Sequence, residues 1–257
     1  MILAILQARL SSTRLPGKVL KPILGRPMLE MHLERLARST MIDKLIVATS
    51  DRPDDTPIAE LCEKLDVACF RGSLGDVLDR YYRAAERLNP EIVVRLTGDC
   101  PLADPEIIDA GIDYFLKNNF DYVSNCVQRT FPIGLDFEVF RFVCLETAWR
   151  EATLPSEREH VTPFIKNRPE RFAIGHYTNP VNLSRHRWTV DEPDDFAFVA
   201  AVYEALFPNN PRFTIDDILA LLGERPELMQ LNYHIEHGEG YRKSLREDKA
   251  FLAARRQ

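Results

Sequence analysis

The chain of 257 residues is long enough for one large α/β domain, and its 45% hydrophobic and 28% charged residues suit a protein with a sizeable core. A formal net charge of -6 argues against general nucleic-acid or membrane-surface binding, both of which need a broad basic face. The five cysteines form no C-x-x-C pair, which argues against a disulfide framework or a zinc knuckle and for reduced thiols.

The opening MILAIL is short, apolar and without the basic flank of a signal peptide, so residues 2–6 read as a buried strand. Pro27 opens a helix whose apolar face is Met28, Met31, Leu33 and Leu36. A strand is expected at residues 45–48. A helix follows at 54–65, with Ile58, Leu61, Cys62 and Leu65 on one stripe. Further strands are expected at 67–70 and 92–96, with helices at 77–88 and 106–116, the last opened by Pro105. This alternation implies a mostly parallel sheet with helices on both faces.

Beyond residue 120 the pattern loosens. Strands are expected at 122–125, 135–140, 172–177 and 186–190, the last two antiparallel, and helices at 143–151, 196–206, 216–222 and 244–256. With no linker or repeat, residues 1–257 read as one domain in which 120–185 form an insert-like lobe. No apolar run approaches the ~20 residues of a membrane span. The expected location is the cytoplasm.

The stretch QARLSSTRLPGK, straight after the first strand, carries Arg9, Arg14 and Lys18 and no acid. Ser11, Ser12 and Thr13 add hydroxyls, and Gly17 allows close backbone approach. In a doubly wound sheet, ligands bind beyond the carboxyl ends of the strands, where this loop lies. Arginine forks and a mobile lysine suit the charge of a triphosphate. The spacing fits neither Walker A nor G-x-G-x-x-G, which disfavours P-loop hydrolysis and dinucleotide binding. A solvated basic turn is the plain alternative.

A nucleotide needs Mg²⁺, which takes one or two carboxylates plus phosphate oxygens. In RLTGDCPLADP, Asp99 follows a strand at the same sheet edge and is the first candidate ligand; Asp104, before Pro105, suits a helix N-cap. In RHRWTVDEPDD, Asp191 is placed to complete the metal site, while Asp194 and Asp195 fall in a first helical turn, where acids favour the dipole. Cys100 reads as a small apolar filler.

Together these stretches resemble the nucleotide-sugar cytidylyltransferases. ARLSSTRLPGK is similar to the signature loop of the 3-deoxy-manno-octulosonate (Kdo) enzymes, TGDCPL to the family's metal-binding turn, and WTVDEPDD to its later carboxylate motif. RGSLGDVLDRYYRAA, PIGLDFEVF and GYRKSLRED resemble the branch named for a spore-coat polysaccharide biosynthesis protein. The resemblance implies a Rossmann-like nucleotide-diphospho-sugar transferase fold that binds CTP and Mg²⁺. It assigns the triphosphate to Arg9, Arg14 and Lys18 and the metal to Asp99 and Asp191. Base and ribose contacts are implied for the first loop (Ala8, Ser11, Ser12, Gly17), for Thr49 and Ser50, for Gly72, Ser73 and Asp76, and for Thr97 and Gly98. The Kdo enzymes carry a QGD-type turn where this chain has Thr97-Gly98-Asp99.

The reaction so implied is attack of a sugar or sugar-acid hydroxyl on the α-phosphorus of CTP, with loss of pyrophosphate, in surface polysaccharide or glycan synthesis. On the acceptor side, Asp136 and Glu138 share a strand face, and Arg158, His160 and Thr162 lie in SEREHVTPF; each is equally a structural surface residue. Two rivals remain: a GT-A-type glycosyltransferase, although no D-x-D follows a central strand, and a catalytically silent nucleotide-binding subunit. The expected partners are a nucleotide and a small sugar, not nucleic acid or membrane. The family's dimerisation through the insert lobe makes Phe131, Phe137 and Phe140 candidates for a homodimer contact or for core.

Overall fold

A computed structural model describes residues 1–236 and 238–254. In chain order the strands are β1 (Ile2–Gln7), β2 (Pro22–Ile23), β3 (Arg26–Pro27), β4 (Lys44–Ser50), β5 (Ala68–Gly72), β6 (Ile92–Thr97), β7 (Tyr122–Ser124), β8 (Glu138–Arg141) and β9 (Ile174–His176). The helices are α1 (Met28–Leu36), α2 (Thr56–Lys64), α3 (Val77–Glu86), α4 (Pro105–Lys117), α5 (Phe142–Glu151), α6 (Pro155–His160), α7 (Pro163–Lys166), α8 (Pro193–Leu206), α9 (Ile215–Glu224) and α10 (Glu239–Ala254).

Seven strands form one sheet in the order β5-β4-β1-β6-β8-β7-β9. β5, β4, β1 and β6 are parallel, β8 runs antiparallel between β6 and β7, and β9 is parallel to β7. Alternation along β1 feeds two cores. Ala4 and Leu6 face the layer of α1, α2, α4, α8 and α9, and Leu3 and Ile5 the layer of α3, α5 and α7. Strand order reverses at β1, between β4 and β6, so the crevice beyond their carboxyl ends is where a ligand site is expected.

Three expectations change. Residues 186–190 form no strand and make only an isolated bridge, Arg187 with Ile133, because Val190 spends its amide on the Asp99 carbonyl (2.7 Å) rather than on a neighbouring strand. β9 is parallel to its neighbour, since the chain returns from β8 through α5, α6 and α7, a crossover rather than a hairpin. β8 starts only at Glu138, because the Asn125 side chain takes the Phe137 amide (3.0 Å) in place of a ladder bond. The segment 120–185 thus adds β7, β8 and β9 to the edge of the common sheet. Phe131, Phe137 and Phe140 are 5%, 1% and 0% exposed, which makes them core rather than a dimer surface. Among the described residues no helix is long and apolar enough to cross a membrane.

Candidate active site

The loop after β1 is pinned at both ends. Ala8 extends the ladder to the Ala48 carbonyl (3.1 Å), and Gly17 donates to the Leu10 carbonyl (3.0 Å) with a left-handed φ of 70° that favours glycine. Leu15 and Val19 anchor it in the core, while Arg9, Ser11, Thr13 and Arg14 stay exposed. Asp55, buried at the start of α2, accepts the Leu10 amide (2.7 Å) and the Ser50 hydroxyl. Ser50 is itself fully buried, so it steadies the loop through Asp55 and offers no exposed hydroxyl.

Gly98 shows why the next turn sits so close. Its amide donates to the Gln7 carbonyl (2.8 Å), and a Cβ there would stand 3.1 Å from that oxygen and 3.2 Å from Ala8 Cβ. The absence of a side chain lets the Asp99 turn lie against the end of β1. The Asp99 carbonyl then accepts the Val190 amide and the Thr189 hydroxyl (3.1 Å), which brings Asp191 to the same rim.

Lys18 joins the two acids. Its ammonium lies 3.4 Å from Asp99 Oδ2 and 3.1 Å from Asp191 Oδ1, and it donates to the Val190 carbonyl at 2.6 Å. Arg14 reaches Asp191 Oδ1 at 3.2 Å. Burial pushes the Lys18 ammonium down, but Asp99 and Asp191 more than offset this and hold its proton more tightly than in free lysine. Burial likewise raises Asp99, yet Lys18 and the Thr97 hydroxyl outweigh it and bring that carboxyl down to about 2. Both partners of the pair are therefore charged at neutral pH.

Asp191 is aimed by Arg187 and Asp195, to which the sequence pattern assigned no role at the site. Arg187 grips Asp195 with two bonds of 2.8 Å and reaches Asp191 Oδ2 at 3.1 Å. Asp195, fully buried in the first turn of α8, accepts the Asp191 and Glu192 amides (3.0 and 3.1 Å), and Asn232 donates to it at 3.0 Å. Asp195 is thus more than an acid at a helix dipole. Its capping-box position in DEPDD was the available signal.

The remaining candidates divide. Thr97 stands beside Asp99 and lowers its carboxyl. Ser12 accepts the Leu15 amide within the loop (3.3 Å). Arg9 lies near enough to Arg80 for its charge, after burial, to lower that guanidinium. Gly72, Ser73 and Asp76 are at the far end, beyond β5 at the sheet edge. Ser73 Oγ accepts the Asp76 amide (3.1 Å), and Asp76 caps α3 by accepting the Asp79 amide (2.9 Å). Arg158 donates to Asp76 (3.0 Å) and to the Trp149 carbonyl (2.8 Å), so its fork is already engaged. Asp136 is held by Arg129, and Asp104 caps α4 as its position suggested. Burial raises the Cys100 thiol well above its ordinary range, which removes it as a thiolate nucleophile.

The donor set can be tested for a metal. Among the described residues no three or more His, Cys, Asp or Glu side chains cluster as a ligand cage. Two carboxylates converging on one cationic nitrogen do fit a hard divalent ion that keeps water and substrate oxygens as its other ligands.

A mostly parallel sheet, with only β8 reversed and with a cationic loop and paired acids at its reversal point, defines the class: a Rossmann-like nucleotidyltransferase. Residues 3–228 match the model of the cytidylyltransferase family, and the chain belongs to that family; it is a CTP-dependent nucleotidyltransferase. It is 33% identical to the spore coat polysaccharide biosynthesis protein SpsF of Bacillus subtilis over 88% of this chain and 95% of that one. A shorter match, 36% identical, is to the 3-deoxy-manno-octulosonate cytidylyltransferase of Trichlorobacter lovleyi and covers 46% of each chain. The solved structure of a cytidylyltransferase from Leptospira borgpetersenii is 36% identical, with a TM-score of 0.86 over 92% of this chain and 99% of that chain.

Proposed function

We propose that the chain transfers CMP from CTP to a hydroxyl of a sugar or sugar acid and releases pyrophosphate, within surface polysaccharide synthesis. The observation that carries this reading is the Lys18 ammonium bridging Asp99 and Asp191 beside a cationic loop. A Mg²⁺ ion on Asp99 and Asp191, when bound, would supply charge stabilisation at the α-phosphate and a more acidic acceptor hydroxyl. Lys18 and Arg14 stabilise charge on the departing pyrophosphate, and Arg9 orients the exposed part of the chain of phosphates. The acceptor oxygen bonds to the α-phosphorus as the bond to the bridging oxygen breaks, and the hydroxyl proton passes to solvent. Arg187 and Asp195 keep Asp191 aimed throughout. No side chain has to act as a dedicated base, so catalysis is positioning and electrostatics.

Similarity to SpsF and to a Kdo enzyme supports the sugar and polysaccharide setting. The test is pyrophosphate release from each of the four NTPs with Mg²⁺ and a panel of sugars and sugar acids. Release that requires both CTP and a sugar is expected. Release of a nucleoside diphosphate from a nucleotide sugar instead would refute it.

A further inference from the structure

A cavity of about 230 Å³ opens beside Thr97, the residue that borders Asp99, and its wall includes Arg95, Glu138, His160, Lys166 and Tyr241. Its size is below the ~300–1,000 Å³ of pockets for drug-sized ligands and suits one monosaccharide. Glu138 at its base is 3% exposed and accepts from Arg95, from the Tyr122 hydroxyl (2.5 Å) and from the Thr162 hydroxyl (2.6 Å). Burial would raise its carboxyl, but Arg95 and Lys166 bring it down to about 2. Glu138 therefore serves as a fixed counter-charge.

The charges do not pair one for one. Arg95 is matched by Glu138 and Asp136 by Arg129, whereas Lys166 stands 3.8 Å from the already engaged Glu138. Arg95 and Lys166 thus share one carboxylate, and with Arg129 the group carries one positive charge more than its two acids supply. The opposite wall comes from α10, which begins at residue 239 and so lies beyond the family match ending at 228. Asp248 of α10 accepts the Ser156 amide and hydroxyl (2.9 and 2.6 Å), and Ser244 donates to Glu159 at 2.6 Å. With that proton committed to Glu159, the Ser244 oxygen accepts from His160 Nε2 at 2.9 Å, which leaves Nδ1 as the ring's acceptor. Tyr241 lies edge-on to His160, with centroids 5.3 Å apart, and its ring centre is 5.9 Å from the Lys166 ammonium.

We propose that this cavity holds the acceptor and that α10 sets which acceptor fits, with Tyr241 as the specificity-determining wall and Lys166 pairing an anionic substituent. The assignment rests on the cytidylyl-transfer reading. A sugar ring packs its C–H face on the tyrosine, donates a hydroxyl to His160 Nδ1 and turns its anionic group toward Lys166. The nucleotide-side residues are common to the matched segment, whereas this wall belongs to the tail.

Calorimetric titration of the full chain tests this, with 3-deoxy-manno-octulosonate as the acidic probe, D-mannose as the neutral one, and CTP with Mg²⁺ titrated separately. Wild type should bind the acid more tightly than mannose. Tyr241→Ala and Lys166→Gln should each weaken the acid at least tenfold while CTP affinity changes less than twofold, and Tyr241→Phe should restore binding. Unchanged affinity in Tyr241→Ala, a parallel loss of CTP affinity, or no binding of the acid to wild type would each overturn the proposal. Failure of wild type to bind CTP would instead overturn the reaction reading and leave the sugar titration to judge the cavity.

Discussion

Replacing Lys18 by methionine keeps the bulk and removes the charge that neutralises two acids at once. Asp99 sits at about 2 against an ordinary 3.8, largely through Lys18. That gap corresponds to about 2.5 kcal/mol at 1.36 kcal/mol per tenfold. With 31% of the Asp99 side chain accessible, solvent screening reduces it to about 1–2 kcal/mol. The sign follows from the depression. Asp99 contributes stability above its unfolded pKa and loses it as pH falls through about 2, so wild type carries the full contribution at pH 7. In Lys18→Met burial is opposed only by the Thr97 hydroxyl and a backbone hydrogen bond, so Asp99 titrates higher than in wild type. The variant should melt about 3–6 °C lower at pH 7, and lowering the pH toward 4 should narrow the deficit. Activity should fall about 10²–10³-fold, as when one charge-stabilising donor is lost. Thermal unfolding at several pH values, alongside pyrophosphate release, makes the check. An unchanged melting temperature together with activity within threefold of wild type would refute the bridging role.

Asp99→Asn should abolish Mg²⁺-dependent turnover with the circular dichroism spectrum intact; near-normal turnover would remove Asp99 from the metal site. Gly98→Ala forces a Cβ against Gln7 and Ala8, so the turn must shift by a few tenths of an ångström. Turnover should drop about tenfold, as expected for displaced reacting groups, while the fold survives; full activity would show that the close approach is not needed. Glu138→Gln leaves Arg95, whose side chain is only 15% exposed, without its counter-charge and should cost about 3 kcal/mol in urea unfolding. Because the Glu138 carboxyl is depressed to about 2 from 4.5, its contribution is present at neutral pH and fades as pH falls from about 4.5 to 2, and the variant should lack that part of the acid transition.

The elements that sequence alone located share one property: their signals are local. Apolar runs marked β1, β4 and β6, and prolines marked the openings of α1 and α4. Lys18 and Asp99 were legible because each follows a glycine turn at the same edge, and Asp191 because it ends a stretch of strand-like composition. Partners were not legible. Asp136 looked available until Arg129 was seen to hold it, and Arg158 until Asp76 claimed its fork from 82 positions away. Asn232 reaches Asp195 across 37 positions, a pairing that no periodicity encodes. Residues 186–190 have strand-like composition, but the Asp99 carbonyl competes for the amide that a ladder would need.

The lacing of Thr189 and Val190 onto the Asp99 carbonyl joins stretches 90 positions apart. A growing chain that has left the ribosome as far as the first acid still lacks the second, and translation at about 5–20 residues per second separates them by roughly 5–18 s. During that interval the nascent protein owns the basic loop but only one of the two acids proposed to seat a triphosphate with it. On the proposed reaction, catalytic competence would arrive late in synthesis, with nucleotide consumption beginning only once the distal third has docked.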